Sequence, residues 1–234
     1  PTTALAEAVA RPGREVIRLS AEPADASEPQ SVVGDEENLP LAPASVDLVA
    51  SALTLQWVND LPGALVQIRR ALKPDGLLLA CLIGGSSLSE LRASFTAAEA
   101  ELEGGASPRV APFGDVRELG RLMQRAGFAL PVVDSETLTV RYDTMFGLMA
   151  DLRAMGATNA LVARSRKPLR RATLMRAAEI YRDRFSDPDG RVRASFDIVW
   201  LSGWAPHESQ QKPAARGSAQ MSLEAALKAT KQDP

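Results

Sequence analysis

The chain has 234 residues, of which 45% are hydrophobic and 24% charged, with a formal net charge of -2 at pH 7. It can bury one substantial core, either as a single domain or as a domain with an inserted cap. No apolar run approaches the roughly 20 residues that span a bilayer, and no signal peptide is visible. The only cysteine, Cys81, excludes an internal disulfide and favours a buried thiol and a reducing, cytoplasmic location.

Charge is distributed unevenly along the chain. Residues 1–60 contain three arginines against ten acids, whereas residues 161–193 contain ten basic residues against four acids. The basic segment predicts either the solvated face of a helix over residues 169–185 or a surface that docks onto an acidic partner or phosphate. Nucleic acid is not expected, because no aromatic residues alternate with these charges as stacking platforms would require.

The first half of the chain predicts a doubly wound α/β sheet. An amphipathic segment, residues 4–10, precedes a strand-like run at 16–19, and a short second run ends just before Asp35. Residues 46–53 are almost continuously apolar, which suits a parallel strand covered on both faces. Asp60 can cap the following helix, and residues 77–83 form the next strand, so a right-handed crossover is expected.

Ligands of such a sheet bind beyond the carboxyl ends of its strands. The predicted elements place five residues on this rim of the sheet. They are Asp35, Thr54, Gln56, Trp57 and Gly84.

The second half predicts helices at residues 86–103 and 115–126. Residues 132–142 alternate enough for a strand and residues 192–204 predict a second one, so the two should close the sheet as an antiparallel pair. Between its two strands lie helical segments that suit a cap over the crevice, more mobile than the sheet because they carry few large apolar residues. We therefore divide the chain into an α/β domain, residues 1–142 and 192–204, a helical cap, residues 143–191, and a tail, residues 205–234, with a short helix near 223–228.

Six stretches carry a resemblance to a known family. The widely shared ones are G-D-E-E-N-L-P-L, L-Q-W-V-N-D-L-P and L-K-P-D-G. The narrower ones are A-E-L-E-G-G-A-S-P-R-V-A-P-F, M-F-G-L-M-A-D-L-R-A-M-G-A-T-N and G-W-A-P-H-E-S-Q-Q-K-P-A-A-R-G-S-A. The chain resembles class I S-adenosylmethionine-dependent methyltransferases, and more narrowly the bacterial relatives of a methyltransferase-like assembly factor of mitochondrial respiratory complex I.

The resemblance implies a site for S-adenosylmethionine on the rim. Asp35 would accept a hydrogen bond from the adenine amino group, and Glu36 is a weaker candidate that alternatively only caps the turn. Leu53, followed by Thr54, would give a backbone contact to the methionine part. Trp57 would line the site beside the reactive methyl group of the cofactor. Alternatively, Trp57 is a core aromatic that packs against the next helix.

The front of the chain departs from the family pattern. In the family pattern an acid hydrogen-bonds both ribose hydroxyls of the cofactor, and this chain has Ser20 at that position. Glu22, two residues later, is the alternative acid for this role. Nothing before Val16 resembles the strand and the acidic, glycine-rich loop with which such methyltransferases begin. We therefore expect that this numbering starts inside a longer polypeptide.

Three functions remain open at this stage. The first is methyl transfer to a protein or small-molecule acceptor. For this reaction the protein mainly has to position the acceptor and exclude water, so we assign no catalytic residue. The resemblance also implies hydroxylation of an arginine on a complex I subunit, or a non-catalytic assembly chaperone with a vestigial pocket. A dinucleotide oxidoreductase is disfavoured because no G-x-G-x-x-G occurs.

A guanidinium substrate would need carboxylates with planar, bidentate geometry. Glu99, Glu103 and Asp151 are the candidates, and they should converge near the rim, although each could equally be an exposed helix acid. Arg216 could hold the C-terminal tail across the ligand crevice. His207 is the only histidine, so a metal site is not expected.

Overall fold

The computed structural model of the chain describes residues 4–13, 15–21 and 31–211. Within these ranges helices and strands alternate as in an α/β protein. The helices are α1 Ala4–Val9, α2 Leu61–Ala71, α3 Ser89–Glu103, α4 Val116–Arg125, α5 Met145–Ala154 and α6 Arg171–Phe185. The strands are β1 Arg18–Ser20, β2 Ser31–Val33, β3 Val46–Ala52, β4 Leu72–Ile83, β5 Ala129–Tyr142 and β6 Val192–Trp204.

The strands form two ladders. β1 and β2 are a parallel pair, and the larger sheet has the order β3-β4-β6-β5. β3 and β4 are parallel, whereas β6 runs antiparallel to both of its neighbours, so the predicted antiparallel closing pair is confirmed. Within the described ranges no ladder joins β1 to β3.

The helix that follows β3 begins where the sequence predicts. The Asp60 side chain accepts a hydrogen bond from the Gly63 N–H at 2.9 Å, and a proline occupies the first turn. This arrangement satisfies one of the free N–H groups at the start of α2. β4, however, begins at Leu72 and not at Leu77, because Leu72 already pairs with Val46 of β3. The register of the pair then shifts by the time Leu77 pairs with Leu48, and the intervening Asp75 has a φ of 64°.

The main core lies between the larger sheet and helices α2 and α4. Leu78, Ala80 and Leu82 point inward from β4, and Leu65 of α2 is completely buried against them. Each large side chain buried in this way contributes about 1.5–3 kcal/mol. Alternate residues of the strand face away from this core, as the period of two requires.

The opposite face of the sheet is less covered than the sequence predicts. No residue of β3 is buried, and Leu79 of β4 and Trp200 of β6 are 44% and 50% exposed. The prediction of a strand covered on both faces is therefore wrong for the described residues, because the described helices α2 and α4 pack on one face only.

A second core joins α3, α5 and α6 at the far ends of β5 and β6. Phe95, Leu148 and Tyr181 lie at its centre, and the Tyr181 hydroxyl donates a hydrogen bond to the Arg193 carbonyl at 2.6 Å. The premise that the inserted helices carry few large apolar residues is thus wrong. Leu91, Phe95 and Ala98 of α3 are buried in this core, whereas Leu102 near the end of the helix is 46% exposed.

Residues 205–211 fold back along the amino edge of the sheet, opposite the rim. The Ala205 N–H donates to the Gly76 carbonyl at 2.8 Å, and Gln210 Nε2 donates to Asp75 Oδ1 at 2.9 Å. Arg216 and the predicted helix at 223–228 lie outside the described residues. No helix within the described ranges is long and apolar enough to cross a bilayer.

Candidate functional site

The carboxyl ends of β1 and β2 bring Ser20 and Asp35 to neighbouring positions. The Gly34 N–H donates to the Ser20 carbonyl at 3.0 Å. Position 34 requires glycine, because a Cβ there would lie 2.7 Å from Leu19 Cδ1 and 2.9 Å from Pro40 Cγ. This close approach fixes the direction in which the chain presents the following acid.

Asp35 begins a tight turn that is tied to the rest of the rim. Its Oδ1 accepts the Glu37 N–H at 2.8 Å, and Asp35 forms a bridge with Asn38. The Glu37 carboxylate in turn accepts hydrogen bonds from the N–H groups of Asn59 and Asp60 at the start of α2. The third acid of the D-E-E run therefore links this turn to the segment that follows β3, whereas the second, Glu36, is half-buried.

Gln67 of α2 strengthens the same link. Its Nε2 donates to the Glu37 carbonyl at 2.7 Å, and its Oε1 accepts the Leu39 N–H at 3.0 Å. Sequence reasoning missed both Glu37 and Gln67. The available signal was a polar residue, Gln67, between the apolar positions Ala64, Leu65 and Ile68 of α2.

β3 ends in a constrained turn. Leu53 has a φ of 55°, its N–H donates to the Cys81 carbonyl at 2.8 Å, and its carbonyl accepts Gln56 Nε2 at 2.7 Å. Thr54 shares a hydrogen bond of 2.7 Å with Ser51 through their hydroxyl groups. A left-handed backbone at a residue other than glycine is costly, and such positions cluster at ligand sites.

Trp57 closes this turn and is 54% exposed. Its N–H donates to the Thr54 carbonyl at 3.0 Å within the 3₁₀ helix Leu55–Trp57. The interpretation of Trp57 as a core aromatic is wrong, because more than half of the side chain meets solvent. The indole is available to a ligand on the rim.

Glu99 serves an internal network. It is buried, accepts the Ser107 N–H at 2.6 Å and accepts Arg109 Nε at 2.8 Å. Burial alone would raise the pKa of Glu99, but the hydrogen bonds from Ser107 and Arg109 and the arginine charge outweigh it and hold the pKa below its ordinary value. The structure does not support Glu99 as a substrate contact.

The other two acids proposed for a guanidinium make separate contacts. Glu103 accepts the Thr173 hydroxyl at 2.6 Å. Burial, followed by a hydrogen bond to Asp151, raises the pKa of Tyr142. The hydrogen bonds and ion pairs of the described residues do not join Glu99, Glu103 or Asp151 to the rim, and their convergence there stays a prediction.

Two cavities lie beside the rim. The larger, about 430 Å³, is mostly apolar and lies between the 3₁₀ helix, the end of β4 and α4, with Leu55, Leu82 and Phe113 in its wall and Arg121 and Arg125 on α4. Its size falls within the range of about 300–1,000 Å³ that is usual for small-molecule sites.

The smaller cavity, about 320 Å³, contains the polar residues Ser86, Asp115 and Asp197 in its lining. The Asp197 carboxylate accepts the Ser86 N–H at 3.0 Å and the Thr137 hydroxyl at 2.7 Å. Sequence reasoning missed Asp197, which reaches this edge because β6 runs antiparallel beside β4. Among the described residues no group of three or more His, Cys, Asp or Glu side chains could hold a metal ion.

Comparison with known proteins identifies the front part of the chain. Residues 4–80 match the family described as a methyltransferase domain. This match covers about a third of the chain. Its fold also aligns with the YcgJ protein of Bacillus subtilis, with a TM-score of 0.47 and 15% identity over 76% of this chain and 71% of that chain.

Sequence relatives extend the similarity beyond this domain. The chain is 49% identical over 194 residues to the mitochondrial arginine-hydroxylase NDUFAF5 of Homo sapiens, covering 82% of this chain and 56% of the human protein. The NDUFAF5 of Danio rerio is 46% identical, covering 83% of this chain and 60% of the fish protein. A malonyl-[acyl-carrier protein] O-methyltransferase of Xylella fastidiosa is 38% identical, over 75% of this chain and 57% of that enzyme. The chain thus spans little more than half the length of these relatives.

Proposed function

We propose that the chain is the α/β part of an S-adenosylmethionine-dependent methyltransferase-like enzyme that modifies a protein or small-molecule acceptor. One observation supports this most directly. Glu37 ties the Asp35 turn to the segment between β3 and α2, so that an acid and the strained Leu53 turn belong to one rim.

The rim residues fit the proposed cofactor. Asp35 uses Oδ1 for its own turn, which leaves Oδ2 to accept the adenine amino group. Leu53 and Thr54 would hold the methionine part, and the exposed indole of Trp57 would cover the reacting end. When bound, S-adenosylmethionine supplies an electrophilic methyl group, and the protein has to orient the acceptor in line with it and exclude water.

Replacing Asp35 by alanine is expected to weaken binding of S-adenosylhomocysteine by about 1–3 kcal/mol, because the adenine amino group loses a charged acceptor. Isothermal titration with the intact protein measures this difference. Asp47→Ala is the matched control, since Asp47 is an exposed acid at the amino end of β3 that pairs with Lys73 at 2.8 Å. Equal affinities of the Asp35→Ala variant and the wild type would show that Asp35 does not contact the ligand. If the wild type gave no binding heat, the result would favour a non-catalytic chaperone.

Arginine hydroxylation is the second candidate, and the 49% identity to NDUFAF5 favours it. The resemblance of the sequence to complex I assembly factors then makes a complex I subunit the proposed partner. Because Glu99 is already paired with Arg109, Asp197, which lines the smaller cavity and forms no ion pair within the described residues, is the better carboxylate for a guanidinium. Mass spectrometry of arginine-bearing peptides of complex I, with the gene intact or deleted, would detect the gain of an oxygen atom.

A further inference from the structure

We propose that residues 161–171, between α5 and α6, form a docking surface for an acidic segment of a partner protein. We name these residues the basic loop. Four exposed cations lie within six positions of it: Arg166, Lys167, Arg170 and Arg171. The loop contains no acidic residue, so its positive charge is not neutralised from within.

The cations of the basic loop differ from those of the helix that follows. Arg176 on α6 pairs with Glu101 at 2.7 Å and with Glu179 at 3.2 Å, as expected for a solvated helix face. None of the four exposed loop cations forms an ion pair with any residue in the described ranges. A solvated helix face therefore explains the charges of α6 but not those of the loop.

The position of these cations also opposes local helix stability. Arg170 is the N-cap residue of α6, its side chain makes no capping hydrogen bond, and the first turn contains no acid of its own, although Glu103 of α3 reaches this turn through the Thr173 hydroxyl. The amino end of a helix carries a partial positive charge, so cations there repel it. A carboxylate from a partner would relieve the repulsion among the cations and the repulsion from the helix end together.

Contacts just before the basic loop, within it and with the second core hold it in place. Asn159 Nδ2, just before the loop, donates to the Pro108 carbonyl at 2.8 Å, and Arg164 Nη1 donates to the Leu161 carbonyl at 2.8 Å. Leu169 packs against the second core. The loop is therefore ordered before a partner arrives, which lowers the entropic cost of binding.

The chemistry of the surface favours a protein segment over a lipid bilayer. Three of the four cations are arginines, whose planar forks match carboxylates, and Val162 beside them is 88% exposed and can receive an apolar side chain. Glu101, Glu103 and Glu179 are exposed on the adjoining α3–α6 surface. Arg176 neutralises part of this negative charge, and the remainder would repel a flat anionic membrane, whereas a peptide can contact the loop alone.

The test measures binding of a fluorescein-labelled peptide of alternating glutamate and leucine to the intact protein by fluorescence anisotropy. The loop variant carries Arg166→Ser, Lys167→Ser, Arg170→Ser and Arg171→Ser. We expect it to bind the peptide at least about tenfold more weakly than wild type, and wild-type binding to fall steeply as salt shortens the Debye length to about 8 Å. A peptide with serine in place of leucine should bind more weakly than the leucine peptide.

A control variant removes the same charge from the α2 and α4 side of the sheet. It carries Arg70→Ser, Arg117→Ser, Arg121→Ser and Arg125→Ser, and its affinity should change less than about twofold. If both variants lost the same affinity for the peptide, the effect would come from the net charge of the protein and not from the basic loop. That result would overturn the proposal. Failure of wild type to bind the peptide, or tighter loop-dependent binding to phosphatidylglycerol vesicles, would also overturn it, the latter in favour of a membrane surface.

Discussion

Replacing Glu99 by alanine is expected to lower the free energy of unfolding by about 3–5 kcal/mol, because it leaves Arg109 and the Ser107 N–H without their buried partner. Glu99 is 1% exposed and receives hydrogen bonds from both residues. Through them it fixes the segment after α3, whose Pro108 carbonyl also binds Asn159. Chemical denaturation monitored by circular dichroism measures the loss.

The matched control is Glu101→Ala on the same helix. Glu101 also pairs with an arginine, Arg176 at 2.7 Å, but both side chains are largely exposed, so little change in stability is expected. A loss for Glu99→Ala no larger than that for Glu101→Ala would contradict the buried network.

The same network predicts a dependence on pH. The folded-state pKa of Glu99 lies below the ordinary value of 4.5. Its contribution to stability is therefore complete above pH 4.5 and is lost as the pH falls through the folded-state pKa. On acidification below this value, wild type should lose more stability than a Glu99→Gln variant, which has no proton to bind at this position.

Replacing Leu148 by alanine is expected to cost about 2–5 kcal/mol and to destabilise the sheet together with the cap. Leu148 is fully buried in the second core with Phe95 and Tyr181, and this core includes Val192 and Ala194 of β6. Because β6 is paired along its length with β4 and β5, the second core is continuous with the sheet. Hydrogen exchange should show increased opening in β6 as well as in α5 and α6.

The control for this prediction is Leu102→Ala, which removes an exposed leucine from α3, 46% exposed, and should change stability little. If Leu148→Ala increased exchange in α5 and α6 alone and left β6 unaffected, the cap would be an independent layer, as its composition first suggested.

Local signals in the sequence predicted the elements that depend on local chemistry. The Asp60 cap set the start of α2, and the alternation of residues 132–142 predicted the strand that pairs with β6. Both signals are readable in the sequence because helix capping and the alternation of side chains along a strand act within a few residues. The acid turn was predicted for the same reason, since Asp35 lies only two residues after the end of its strand.

The roles of the acids could not be predicted in this way. Glu99 has the spacing of a helix acid, and only the approach of Arg109, ten residues later, makes it an internal partner. Asp197 is far from Ser86 in sequence and meets it because β6 returns antiparallel to β4. The cap was misjudged because its large apolar residues, among them Leu148, Ile180 and Tyr181, form a core with α3 that no pattern within the cap alone reveals.

Nuclear magnetic resonance of the intact protein tests most directly whether the rim at the carboxyl ends of the strands binds the proposed cofactor, S-adenosylmethionine. Titration with S-adenosylhomocysteine should shift the amide signals of Asp35, Glu37 and Thr54 and the indole N–H signal of Trp57. The amide of Asp75, at the opposite edge of the sheet, should not move. Shifts confined to that opposite edge, or no shifts at saturating ligand, would contradict the claim.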